Sequence, residues 1–299
     1  MELEQSDSLA SADWCEVVAW QPGAGVMDPV MRSRIVESGL PWRVRDPVTG
    51  IELVLIMPGE FLMGSPDAEA GRGEDEGPQH RVLLTKAFYI GAAEVTQAQW
   101  RHLMGPTSFF FEGEERPIDP SWLDVQAYLA RASEGLAPGV EALRLPTEAE
   151  WEYACRAGTT GAFSLSGPLG QDLVNFNDGA VESGAVVDGK LVVTWSKPPS
   201  PECRMSTVPA GSLPPNAWGL HEMHGNLWEW CEDDYAPDAF VGRDPVAIDP
   251  IFRSTGSGPR VLRGGSFYDQ PRDCRSAARD AGGPDVRSNR IGFRVARTP

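Results

Sequence analysis

The stretch Gly219–Trp230, GLHEMHGNLWEW, gathers the groups best able to do chemistry. Glu222, Glu229 and, just beyond, Glu232 supply carboxylates; His221 and His224 supply imidazoles; Trp228 and Trp230 supply flat apolar surface. Neither a helical nor a strand period runs through it, so it reads as a loop that must be pinned, by a core or by a bound metal. The histidines stand as HxxH. A zinc site of that kind needs a regular helix and a third ligand. Only His80 and His102 remain elsewhere, so both imidazoles are expected to be structural, and a three-histidine iron site is disfavoured.

A second chemical stretch follows Gly264-Gly265: SFYDQPRDCRSAARDAGGPDVRSN. Phe267, Tyr268, Asp269, Gln270, Asp273, Asp280, Asp285, Arg287 and Ser288 mix aromatic and polar groups, as adaptable binding surfaces do; an ordinary polar loop reads the same way. Residues 260–299 carry nine Arg and four Asp, in a chain of net charge −17. Those Arg either satisfy carbonyls and carboxylates inside a loop-rich core or line a basic pocket for an anionic or peptide ligand.

The acidic balance disfavours nucleic acid and anionic membranes as partners. Five Cys without a CxxC or metal-type spacing suit a reducing compartment. Residues 1–14 show no basic-then-apolar leader, and no apolar run approaches a membrane span; a cytoplasmic location is expected. The 32 Gly and 26 Pro limit long helices, and ten Trp favour cores of aromatic plates set in loops.

These stretches need a scaffold. Residues 1–47 read as an N-terminal extension, with a short helix over 28–38 capped by Asp28 and with Trp14, Trp20 and Trp42 packing onto the rest. Residues 48–299 read as one domain. Its expected strands are Ile51–Met57, a partner at Glu60–Gly64, His80–Ala93, Lys190–Trp195, Arg260–Ser266 and a closing Ile291–Ala296 that pairs with the first. Capping boxes at Thr96 and Thr147 open helices to about Met104 and Ala157, and Asp119–Ser133 is amphipathic. Asp67–Gln79 is an acidic surface loop, and 162–215 is a long irregular segment with a fixed loop at 174–179.

Six motifs occur in order: MPGEFLMGS (57–65), EVTQAQW (94–100), LPTEAEWEYACRAGT (145–159), NAWGLHEMHGNLWEWCEDDY (216–235), RVLRGGSF (260–267) and NRIGFRVAR (289–297). Together they resemble the formylglycine-generating enzyme (sulfatase-modifying factor) family, over roughly residues 48–299. The resemblance implies an α+β, C-type-lectin-like single domain with little regular secondary structure. The family is broad: it holds oxidases that make formylglycine, lectin-like domains of sulfoxide synthases, pyoverdine maturation proteins, domains fused to kinases, and variable proteins of diversity-generating retroelements.

Carried over by position, the resemblance implies a structural Ca²⁺ held by Glu222 and Glu229 carboxylates with Gly225 and Leu227 carbonyls, and a second using Asn175 and Phe176. Oxygen donors on an irregular loop suit that hard cation. Trp228 and Ser266 match positions that line the family pocket. The family's oxidases hold Cu(I) between two cysteines after the GGS turn; here those positions fall at Asp269 and near Pro271, so copper is not expected. The family also raises a Cys155–Cys274 disulfide, against a pair of free thiols. The expectation is a member that binds a protein, peptide or small-molecule ligand through Trp228, Ser266–Gln270, Asp273, Asp285 and Arg287, with a retroelement variable protein as one form. The alternative is an enzyme carrying out oxidative modification.

Overall fold

The computed structural model describes residues 14–23, 27, 29–165, 167, 169–187, 190–242, 246–254 and 258–299, with the backbone alone over 180–196. Helix α1 (Pro29–Ser38) buries Met31 and Ile35; its expected cap, Asp28, lies outside the described residues. Strands β1 (Glu16–Ala19), β2 (Arg43–Arg45), β3 (Glu52–Ile56), β6 (Phe88–Gly91) and β14 (Ala296–Arg297) form one sheet in the order β1-β2-β3-β6-β14. The N-terminal segment therefore extends the sheet of the main body. Trp42 is buried, and Trp14 packs edge-on to Tyr89 with Arg297 over its face. Trp20 departs from expectation and is 57% exposed.

Strand pairing corrects three further readings. The segment Glu60–Gly64 does not pair with β3: β4 (Gly59–Met63) pairs with β5 (His80–Leu84), which β10 (Val246–Ile248) joins in parallel. The run His80–Ala93 is two strands, β5 and β6, in different sheets. Interruption by Thr85–Ala87 turns the chain between them; the alternation of apolar residues continues on both sides and hides the break. The closing segment also divides. Ile291–Gly292 (β13) runs parallel to the 228–234 strand, whereas β14 lies beside β6, so β6 separates it from β3.

Two of the three remaining helices start at the expected caps, and the third starts at Trp122, inside the expected Asp119–Ser133. Helices α2 (Gln97–Met104), α3 (Trp122–Ala132) and α4 (Glu148–Arg156) each begin with a side-chain oxygen of Thr96, Ser121 or Thr147 accepting the N3 amide, with the N3 side chain reaching back. That satisfies amides that the first turn leaves unpaired. Helix α4 stops at Ala157, in the left-handed region at φ 46°. Strands β7 (Ala180–Val187) and β8 (Lys190–Lys197) form a separate hairpin.

The last three residues of Gly219–Trp230 are not loop. Trp228–Asp234 is β9, interior to a four-stranded sheet β12-β11-β9-β13 with β11 (Arg260–Arg263) and β12 (Arg279–Gly282). It is buried on both faces, so it lacks the polar–apolar alternation of a half-buried strand. Its own Trp230 and Trp151 of α4 are fully buried.

Candidate functional site

Strand β9 and the turn after β11 bring Trp228 to Asp269. The Trp228 Nε1–H donates to Asp269 Oδ2 at 2.8 Å, and the Ser266 hydroxyl donates to the same oxygen. Arg290 stands 3.7 Å from Asp269 Oδ1 and lies over the Tyr268 ring. The turn depends on Gly265. It sits at φ 76°, and a Cβ there would come within 2.5 Å of Cys274 Sγ and 2.8 Å of the Asp273 carbonyl. Only glycine permits this approach, which folds Pro271–Cys274 back under the loop.

Trp228 and Asp269 line a cleft of about 360 Å³. The opposite wall is the acidic loop 67–79, through Gly71, Gly73, Asp75 and Glu76; Asp273, Arg275, Arg279 and Asp280 complete it. The wall is fixed by charge. Arg275 binds both Glu76 oxygens and reaches Glu69 at 2.6 Å, while Arg279 holds Glu148 at 2.6 Å. Five carboxylates against two guanidiniums leave the lining acidic. Burial raises the carboxyl pKa values of Asp273 and Asp280, and the nearby Asp269 charge raises both further.

The loop ahead of β9 converges on Asn175. Gly225 and Asn175 form a parallel bridge, and a Cβ on Gly225 would meet the Asn175 carbonyl at 2.3 Å. The two expected calcium ligand sets are thus adjacent. Asn175 Nδ2 donates to Ser206 O and to Asn226 Oδ1, whereas buried Asn175 Oδ1 has no partner. The Phe176 carbonyl accepts from Gln171 Nε2 at 2.8 Å. Glu222, at φ 49°, accepts from Gly211 and Leu213 amides, one per oxygen. Glu229 takes a two-pronged hydrogen bond from Arg294 at 2.6 and 2.7 Å, and Trp151 Nε1–H adds a third at 2.7 Å. A carboxylate offers about four lone-pair sites, so Glu229 keeps one and Glu222 two.

His224 is buried between Ser164 and Cys274. Its Nε2 accepts the Ser164 amide at 3.1 Å, which requires Nδ1 to carry the proton donated to the Cys274 carbonyl at 2.8 Å. Burial drives its pKa down to about 4. His221 is likewise tied by Nδ1 to Leu213 O at 2.8 Å. Both histidines are structural in geometry. Cys155 and Cys274 are free and buried, so the thiol alternative is the one found. Burial pushes the Cys155 thiol up to about 12.

The family model described as the Sulfatase-modifying factor enzyme 1-like domain matches residues 43–299. The chain belongs to this family. It is 35% identical to a formylglycine-generating enzyme of Streptomyces coelicolor over 73% of this chain and 64% of that one. It is 32% identical to the Bos taurus formylglycine-generating enzyme over 84% of this chain and 75% of that one. The chain therefore spans less than two thirds of the Streptomyces enzyme's length. Among solved structures, PvdO from Pseudomonas aeruginosa is 28% identical at TM-score 0.70, covering 86% of this chain and 98% of that one. Treponema denticola variable protein 1, 24% identical at TM-score 0.68 over 87% and 100%, shares the fold.

Within this family fold, the residues singled out from sequence separate. Trp228, Asp269 and Asp273 share the acidic cleft, and Ser266 lies buried beneath it. Phe267 is a core residue, 2% exposed and edge-on to Phe111, because it fills the space under the turn. Gln270 turns away to donate to Gly179 O. Arg287 lines a different surface hollow with Phe110 and Asp119, and Asp285 is exposed outside both. The sequence reading missed Asp75, Arg275 and Arg279 as cleft residues. Their signals were present, a glycine-rich acidic loop and an unbalanced run of Arg, but nothing local says that the two meet across about two hundred residues.

Proposed function

We propose that this chain is a recognition member of the family, binding a cationic group of a protein, peptide or small molecule in the cleft between Trp228, Asp269 and loop 67–79. One observation carries the reading: Asp269, where the resemblance puts a copper thiolate, is a carboxylate held by Trp228 and Ser266 at the cleft wall. The donors around it are hard oxygens, and the thiol of Cys274 is fully buried with its pKa raised by burial and then by Asp269 and Asp273. Such a set does not fit Cu(I), which favours soft thiolates. The net acidic lining and the Trp face suit a Lys or Arg side chain.

An oligolysine or oligoarginine peptide titrated by calorimetry tests the reading. Binding that weakens with salt and drops in Asp269→Asn is expected; equal binding in that variant overturns it. The kinship to formylglycine-generating enzymes favours a second reading, an oxidative enzyme. Aldehyde formation in a CxPxR peptide with Cu(I) and O₂ would establish that one instead. A variable protein of a diversity-generating retroelement is the more specific form of the recognition reading. It is supported by the exposed polar side chains Asp285 and Arg287, and requires a reverse transcriptase and a template repeat beside the gene. The buried free thiols of Cys155, Cys231 and Cys274 support a cytoplasmic location.

Structural Ca²⁺ belongs to the same proposal. The spare lone pairs of Glu222 and Glu229 support the first ion that the resemblance implies, and the unpartnered Asn175 Oδ1 supports the second. Bound there, either ion would supply charge balance to a carboxylate-rich interior. Chelation should lower the melting temperature and Ca²⁺ should restore it; an unchanged melt after exhaustive chelation removes calcium from the account.

A further inference from the structure

A second cleft, of about 440 Å³, opens between β3, the connector 92–96 and the turn at Gly211. It is separate from the Trp228 cleft and shares no lining residue with it. Its volume lies within the range of roughly 300–1,000 Å³ usual for small-molecule sites.

Most polar groups on its walls are already used. Thr96 and Gln99 are spent on the helix cap, and Arg45 is held by Glu16 and Glu52 at 3.0 and 2.8 Å. Three groups keep unfilled hydrogen-bonding capacity. Glu94 is 2% exposed; its Oε1 accepts from Asn226 Nδ2 at 2.9 Å, but its Oε2 has no partner. An unsatisfied buried acceptor of this kind is costly to the fold, so it calls for a ligand that supplies the donor. His221 gives its Nδ1 proton to Leu213 O, which leaves Nε2 as a bare acceptor. Arg43 is held by an ion pair alone, its Nε 3.4 Å from Glu52 without a hydrogen bond, and it lies over the Trp42 ring.

The spacing of function is therefore two acceptors and one guanidinium. The charged lining is balanced, Arg43 and Arg45 against Glu52 and Glu94. A net cation or anion would upset that balance, whereas a ligand carrying both signs would not. We propose that this cleft binds a small α-amino-acid-like zwitterion, its ammonium on Glu94 Oε2 and His221 Nε2 and its carboxylate on Arg43. The ammonium brings three donors, enough for both acceptors, and the planar guanidinium matches a carboxylate. This site is independent of the cationic-ligand reading of the Trp228 cleft, and either can fail alone.

The test is calorimetric titration of the full chain, in saturating Ca²⁺, with glycine, glycine methyl ester and acetate. Glycine should bind. Both single-charge probes should bind at least about tenfold more weakly. Glu94→Gln puts a donor where an acceptor is needed and should weaken glycine by about tenfold or more. Arg43→Gln, at a half-buried position of β2, should do the same while keeping a cooperative melt, so the result does not depend on the folding of the Glu94 variant. Three results overturn the proposal: no glycine binding up to about 10 mM, glycine methyl ester binding as tightly as glycine, or Arg43→Gln binding glycine like the unaltered chain.

Discussion

Arg294→Met is the sharpest probe of how this interior is held. Arg294 is fully buried and makes four hydrogen bonds: two to Glu229, one to Gly91 O and one to His221 O, at 2.6–2.9 Å. It is also the cation facing Glu94 and Glu222, whose carboxyl groups burial already lifts, Glu222 to about 6 and Glu94 well above its usual range. Breaking a buried pair by removing one partner costs about 3–5 kcal/mol. For a chain of this size that is a fall of roughly 5–8 °C in melting temperature. The pH dependence carries a sign. Without the guanidinium, Glu94 and Glu222 rise further, so the folded variant holds more protons than its unfolded chain. Its deficit should then shrink as pH falls from neutral toward the unfolded carboxylate value near 4.3. Urea unfolding of both calcium-free proteins, in chelator, from pH 7.5 to 5 measures it. A loss under about 1 kcal/mol at neutral pH, or a deficit that grows on acidification, refutes the account of an interior balanced by Arg294.

Three other outcomes follow from the geometry. His224, depressed from 6.5 to about 4, makes the folded state bind fewer protons than the unfolded one, so its contribution is intact above pH 6.5 and lost as pH falls toward 4. Relative to His224→Gln, the native chain should lose about 3 kcal/mol across that window in urea unfolding; parallel pH profiles would contradict it. Gly265→Ala should destabilise by at least about 1–2 kcal/mol in thermal melts, since it combines a left-handed backbone with a Cβ inside contact distance of Cys274. Asp269→Ala strands the Trp228 indole N–H and the Ser266 hydroxyl, at about 1–3 kcal/mol, whereas Asp269→Asn should keep the fold and lose the peptide's charge-dependent affinity.

Local signals carried much of the fold. The caps at Thr96 and Thr147 are short-range hydrogen-bonding patterns, and both helices begin there. The Asp119–Ser133 stripe was legible because a helix repeats its buried face every few residues; it buries Val125, Tyr128, Leu129 and Ala132. The strand β9 was not legible, because burial on both faces erases alternation and leaves WEWC looking like a dense loop. The split of His80–Ala93 between two sheets failed for a related reason. A strand's sequence records which face is buried, not which neighbour receives its hydrogen bonds.

The same division holds for the sites. By itself the sequence determined the family, through six ordered motifs, and the replacement of a cysteine pair by Asp269 and Pro271, because those are matters of residue identity and order. It also determined that the terminal Arg run needed partners. Only the tertiary structure decided which partners: Arg263 with Glu152, Arg275 with Glu69 and Glu76, Arg279 with Glu148, Arg294 with Glu229. It alone removed Phe267 from the binding surface and set Asp75 across from Asp269. Pairing of charges distant in sequence is settled by chain crossing and burial, and neither leaves a periodic trace in the residues themselves.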